Sequence, residues 1–456
     1  MTRGRLVSLA ARIGIDRAVF VTLVSRVWGV GAGLVTIVAV TRALSAELQG
    51  FYYTFYSLVA LQVFAELGLN HAIVQFGSHE MARLAWTPQG TVRGDESAYR
   101  RLQSLLTFAL LWYGAAAVLM LAVLPVLGLR FFARAAAAGA AGGAIDVPWI
   151  VLVVCSALAL LTNAGISLLE ACGRVADMAL VRLSQSVASS LALWAVLGAG
   201  GGLYAVAASS AMMLLAAAAW LGGRYRPFFV DLLRHRAPGR GLAWREDIWP
   251  FQWRIAVSVM SGFLVTQLFN PLLLASHGPV VAGQMGMSLQ MIAAMNGAAL
   301  AWISTRAPIF GQLIARGQRR DLDVLFARAL IQSTLVLLGG VVVVLAGLAL
   351  IPGGATRVLP LPQFALLSVA CVANHLVVSE AIYLRAHKEE PFMAVSVANG
   401  LATAALTMLL VPPLGSMGAV LAYTTASLVV GLGAGTAVFV RKRRQWDVAV
   451  QAVSRA

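Results

Sequence analysis

Polar residues in this chain are concentrated in breaks between apolar runs. Between the breaks, apolar residues run for about 20 positions or more, without the alternation of a half-buried strand. A helix needs about 20 mostly apolar residues to cross the hydrocarbon core of a bilayer. Runs of that length, bounded by charge or by Gly and Pro, predict twelve spans: Val19 to Thr41, Phe51 to Val74, Ser104 to Gly128, Pro148 to Ala171, Met178 to Ala199, Leu203 to Gly223, Ile255 to Ala275, Val280 to Ile303, Ala327 to Ile351, Gln363 to Leu384, Phe392 to Pro412 and Gly418 to Val440. The expected fold class is an all-α integral membrane protein with twelve transmembrane helices.

The basic residues test that count, because a wrong number of helices would scramble the side of every later loop. With the N-terminus cytoplasmic, only Arg42, Arg130, Arg134 and Arg357 fall in outward loops, and Arg26 and Arg182 fall within spans. The remainder of the 34 Lys and Arg face the cytoplasm. Both termini are therefore expected to be cytoplasmic. The longest outward loop, about Leu129 to Val147, is mostly Ala and Gly, which argues against an outward catalytic or receptor domain. The longest inward one, Arg224 to Arg254, is basic and carries Trp244, Trp249 and Trp253, as an amphipathic segment on the inner surface would.

That linker falls at mid-chain and divides two similar halves. Slid by roughly 215 to 233 residues, Leu48-Gln49-Gly50 lies over Val281-Ala282-Gly283, Arg174 to Ala179 over Glu389 to Ala394, and Gly202 to Ala205 near Gly418 to Leu421. Six helices per repeat is even, so the repeats relate by an axis along the membrane normal. The expected layout is a six-helix lobe at 1–223, a linker at 224–254, a second six-helix lobe at 255–440 and a basic tail at 441–456, with a cleft between lobes that can open to either side.

Composition agrees with the pattern: 60% of residues are hydrophobic, 11% are charged and the mean hydropathy is +0.83. A net charge of +16 could suit a nucleic-acid partner, but the basic residues sit in loops between spans, so they read as topology signals facing anionic lipid. Cys155, Cys172 and Cys371 lie in or beside spans without metal-ligand spacing and read as small packing residues. The basic N-terminus resembles a signal peptide, yet the run from Ala18 to Thr41 is too long and contains Arg26, so it is expected to remain as a span.

No catalytic motif is present. Gly431 to Gly435 lacks the Lys of a phosphate loop and lies inside a span, and Asp321-Leu322-Asp323 suits a helix N-terminus. The informative residues are the ionisable ones inside spans, where a charge costs about 2.5 to 3.5 kcal/mol on insertion scales. Arg26, Arg182 and Arg254 are candidates for a cationic lining that takes an anionic substrate, since the guanidinium fork suits phosphate. The alternative for each is snorkelling to the interface. Glu66, Glu380, His375 and Glu170 are candidates for ion coupling, and His71 sits one turn from Glu66. Glu170 could instead pair with Arg174 at i+4, and His375 could be a packing residue. Asn270, Gln267 and Asn374 could contact a sugar or bond between helices.

The stretch Thr41 to Leu69 combines Arg42, a small polar turn, Gly50, the tyrosines Tyr52, Tyr53 and Tyr56, and Glu66 before Leu67-Gly68-Leu69. Gly50 reads there as a turn residue and the tyrosines as an interfacial belt. This pattern, with Glu170 to Val187, resembles the Wzx-type polysaccharide flippases, of the superfamily that contains MurJ and the MATE exporters. The resemblance implies a secondary transporter of a bacterial inner membrane, not an enzyme. Its substrate would be a polyprenyl-diphosphate-linked oligosaccharide, moved from the cytoplasmic to the outer leaflet for O-antigen or other surface polysaccharide. It implies no cofactor, proton or sodium coupling, and partners among other polysaccharide-assembly membrane proteins rather than nucleic acid. The alternatives are a MATE-type cation antiporter and a membrane glycan polymerase or ligase. The latter usually needs a large outward loop.

Overall fold

The computed structural model describes residues 17–137, 145–235, 241–350, 356–387 and 391–455. Apolar side chains on successive helical turns leave each helix able to satisfy its own backbone, which is the condition for crossing a bilayer. The chain is almost entirely helical: α1 (Arg17–Ala43), α2 (Ala46–Val59), α3 (Leu69–Met81), α4 (Glu96–Ala137), α5 (Asp146–Ala171), α6 (Val175–Gly198), α7 (Tyr204–Arg224), α8 (Arg226–Arg234), α9 (Trp249–Thr266), α10 (Phe269–His277), α11 (Pro279–Ser304), α12 (Ala307–Ala315), α13 (Arg319–Leu350), α14 (Leu361–Ala386), α15 (Met393–Ala426) and α16 (Gly435–Arg455). A π-helical stretch, Ser427–Ala434, joins the last two. Among the described residues, ten helical segments are long and apolar enough to span a membrane, or eleven when the bent pair Ala46–Glu66 and Leu69–Met81 is counted. Leu111, Val118, Val343 and Leu409 point outward at 67% to 71% exposure, as lipid-facing side chains do.

Three expected spans are not plain rods. The second is bent by 43° where Leu67 and Gly68 both take the left-handed conformation. The eleventh and twelfth run together through Pro412 and Pro413, which lack the N–H a helix interior needs, to Gly415 at φ 57° and ψ −134°. Each break frees backbone groups that protein must cover.

The chain forms two compact units, Met1–Leu44 with Leu58–Met260, and Ser45–Ser57 with Ser261–Ala456. In the first, α1 packs on α6, α6 and α5 on α7, and α4 on α5. Its core includes Trp149, fully buried and edge-on to Phe132. In the second, α11 packs on α10 and α13, and α14 on α13 and α15, around Phe310, Phe326, Tyr383 and Phe439.

Residues 45–57 bring into the second unit several side chains expected elsewhere. Gly50 is not at a turn. It is buried inside α2, where an added Cβ would lie 1.9 Å from the Pro279 carbonyl oxygen, and Gly283 faces it so that the two backbones touch. Tyr52 and Tyr53 are buried rather than interfacial; the Tyr53 hydroxyl lies 2.6 Å from Gln290 Oε1 and donates to it. Gln49 donates to the carbonyls of Gly283 and Arg357, and Asn270 donates to Ser57. Small residues at such crossings supply the packing that association of helices in lipid requires.

A small hairpin, β1 (Leu84–Trp86) with β2 (Val92–Gly94), lies between α3 and α4. Trp86 donates its indole N–H to the Cys172 carbonyl, stacks near Phe228 of α8 and lies under the Arg174 guanidinium at 4.3 Å. Arg174 is thus engaged by the fold of this unit. Within residues 224–254, α8 buries Phe228 and Leu232 and exposes Arg226 and Leu233, while Trp244, Trp249 and Trp253 lie outside it, in Trp244–Ile248 and α9. Asp231 fixes α8, accepting two bonds from Arg93 and one from the Tyr99 hydroxyl.

Gly50→Ala forces a Cβ against backbone that cannot yield, so it should lower stability by about 1 to 3 kcal/mol, read as a lower unfolding midpoint in detergent. Hydrogen bonding to Arg93 holds the Asp231 carboxyl below its ordinary range. Its stabilisation is complete above the unfolded value of about 4 and is lost as pH falls through the folded one. Asp231→Asn should lower the midpoint at neutral pH and flatten its acid fall below about pH 4.

Candidate functional site

The first unit contains a polar cavity of about 650 Å³. Asn70, His71 and Gln75 reach it from α3, Asn163, Ser167 and Glu170 from α5, and Arg182 and Gln185 from α6. The positions follow from helical geometry: residues 163, 167 and 170 fall on one face of α5, and 182 and 185 on one face of α6. The break at Leu67-Gly68 starts α3 afresh, which puts Asn70 and His71 in its first turn. Asn70 Oδ1 sits 2.7 Å from His71 Nδ1.

The charges in this cavity cancel. Arg182 Nη2 lies 2.5 Å from Glu170 Oε2, so Glu170 pairs across helices with Arg182 rather than along its own with Arg174. The rest of the polar lining is four carboxamides, a hydroxyl and an imidazole, with Gln185 donating to the Met213 carbonyl and Asn70 engaged by His71. Carboxamides donate and accept, so the lining suits a neutral polyhydroxyl group better than a bare cation or anion.

Of the three arginines expected to line a cationic site, Arg182 alone is among these residues. Arg26 is exposed on α1, and Arg254 is exposed on α9 with its guanidinium 5.7 Å from the Trp253 ring centroid. Glu66 is half-buried where the chain leaves Val63–Glu66 for the left-handed pair. His375 and Glu380 share α14 in the second unit. His375 is fully buried, with Nε2 3.0 Å from Ser333 Oγ and Nδ1 3.1 Å from Asn296 Oδ1, which matches a satisfied packing residue. Glu380 is 8% exposed; Oε1 accepts from Thr436 at 3.0 Å, and Oε2 is buried without a hydrogen-bond partner. Asn374 donates to Tyr423 and Ser427, and so ties α14 to the π-helical stretch. No cluster of three or more His, Cys, Asp or Glu suited to a metal occurs among the described residues.

Asn70, Gln75, Asn163, Ser167 and Gln185 were not singled out from the sequence. The signal was present as polar residues spaced i, i+4 and i+7 within an apolar span, at 163, 167 and 170.

No family model and no curated protein sequence matches the chain. Solved structures match its fold. An inward-facing multidrug resistance MATE family transporter of the MOP superfamily aligns with a TM-score of 0.64 and 17% identity, over 92% of this chain and 96% of that one. A MOP superfamily transporter from Pyrococcus furiosus aligns at 0.57 and 17%, over 93% and 95%. The lipid II flippase MurJ, in an inward closed conformation, aligns at 0.56 and 13%, over 91% and 85%. The chain has the fold of MOP superfamily transporters.

The Glu170–Arg182 pair joins side chains that are 23% and 55% exposed, so its coupling is modest. A double-mutant cycle with Glu170→Gln and Arg182→Gln should give about 0.5 to 1 kcal/mol in unfolding free energy. A value near zero would mean that the pair does not persist in solution.

Proposed function

We propose that this protein is a secondary transporter that flips a polyprenyl-diphosphate-linked oligosaccharide from the cytoplasmic to the outer leaflet of a bacterial inner membrane by alternating access. The observation that carries the reading is the charge-neutral, carboxamide-lined cavity of the first unit, whose chemistry suits sugar hydroxyls. A fold shared with a lipid II flippase supports it. In this reading the oligosaccharide meets Asn70, Asn163 and Gln185, and Arg26 and Arg254 supply guanidinium forks for the diphosphate. An inside-negative potential favours outward passage of the diphosphate by about 2.3 kcal/mol per charge per 100 mV crossed. Glu66 is the carboxylate for proton or sodium coupling.

Twelve spans follow if the bent pair is counted as one span and the final helical run as two. Met393–Trp446 is 54 residues long, and at about 1.5 Å per residue it would reach roughly 80 Å, far more than the ~30 Å core. Its break at Gly415 divides it into arms of crossing length, and an even number of spans is the count that both termini on the cytoplasmic side require.

A cation antiporter of the MATE type has the same fold. It would need a free carboxylate in the cavity, and there Glu170 is engaged by Arg182.

Cells lacking this protein should accumulate a polyprenyl-diphosphate oligosaccharide on the inner leaflet and lose one surface glycan. Arg26→Ala should fail to restore it while remaining in the membrane. An unchanged lipid-linked pool together with new sensitivity to cationic drugs would replace the flippase with the antiporter.

A further inference from the structure

A second cavity lies within the second unit, apart from the carboxamide-lined one. It is a groove of about 1180 Å³ along α14 and α16, and its lining changes character along its length. Leu376 and Leu432 wall one end. Glu380 and Thr436 follow about one turn along each chain, and Arg441 and Arg444 close the other end. At about 1.5 Å per residue, Arg441 lies about 7.5 Å beyond Thr436 and Leu432 about 6 Å before it. Arg441 and Arg444 are exposed and stand in the basic run that ends the last span, so this end of the groove lies at a membrane interface.

The order apolar, hydrogen-bonding, cationic is the reverse image of one molecule. We propose that this groove binds an anionic glycerophospholipid of the surrounding leaflet, its phosphate on Arg441 and Arg444, an ester carbonyl at Glu380, which Thr436 holds in place through Oε1, and an acyl chain against Leu376 and Leu432. Charge complementarity selects the phosphate end. The middle selects glycerophospholipid over a polyprenyl phosphate. Glu380 is 8% exposed and lines the groove, and its Oε2 has no partner in the protein. As the neutral acid it donates from Oε2 to an ester carbonyl, whereas a polyprenyl chain has only carbon at that depth. A buried polar atom left without a partner is costly, and the lipid would relieve that cost. The occupant is a resident lipid, independent of whatever the first unit transports.

The test is native mass spectrometry of the purified full chain titrated with palmitoyl-oleoyl phosphatidylglycerol. Wild type should retain one lipid after mild detergent. Arg441→Gln with Arg444→Gln should weaken it about tenfold, and Arg316→Gln with Arg320→Gln should leave it unchanged. Ala437→Trp, which fills the apolar wall without touching the arginines, should weaken it as much. Glu380→Gln, which keeps a donor, should bind like wild type, and Glu380→Leu should bind several-fold less. Equal binding by the Arg441/Arg444 double variant overturns the proposal. So does equal binding of diacylglycerol, which has no phosphate, or displacement by polyprenyl phosphate at the concentration of phosphatidylglycerol.

Discussion

A helix inside a bilayer satisfies its own backbone, and any interruption leaves N–H and C=O groups that lipid cannot pair. That constraint orders this molecule more than any single contact. The chain is interrupted at Leu67-Gly68, at Gly415 and along the π-helical stretch Ser427–Ala434, and polar side chains gather at these places. Glu66 precedes the first, and Asn70 and His71 follow it. Asn374 donates to Ser427 at the start of the third, and Glu380 meets Thr436 just past its end. Polar groups are tolerated there because the irregular backbone already requires cover by protein. The same places supply the chemistry that a transporter of this fold could use.

Most of the fold was legible because its signal is one-dimensional. Length and apolarity locate spans without knowledge of partners, and ten or eleven of them appear among the described residues. Breaks were harder to read. Leu67-Gly68 resembles ordinary apolar sequence, and a left-handed leucine cannot be read from composition. The hairpin at residues 84–94 is too short to carry a periodic signal, and its stability comes from Trp86, Phe228 and Cys172, which are distant in sequence.

The site residues divide the same way. The types of residue that interrupt a span are visible, so Glu170, Arg182 and Glu380 could be named. Their partners could not. Glu170 is four residues from Arg174, and local spacing favours that pair, yet a cross-helix contact places Arg182 on it and turns Arg174 to Trp86. Gly50 shows the limit most plainly, since a glycine's freedom to turn and its freedom to let a second helix approach look identical in a sequence.

The placement of Ser45–Ser57 in the second unit also has a consequence for biosynthesis. Gln49 bonds to Gly283 across 234 positions and Tyr53 to Gln290 across 237. At about 5 to 20 residues per second, those partners emerge roughly 12 to 47 s after the segment itself. For that interval the newly made helix holds Gln49, Tyr53 and Ser57 with their final hydrogen-bond partners not yet synthesised. The second helix to be made is therefore among the last to be finished, and the insertion machinery must hold it in a provisional setting until the second half of the chain arrives.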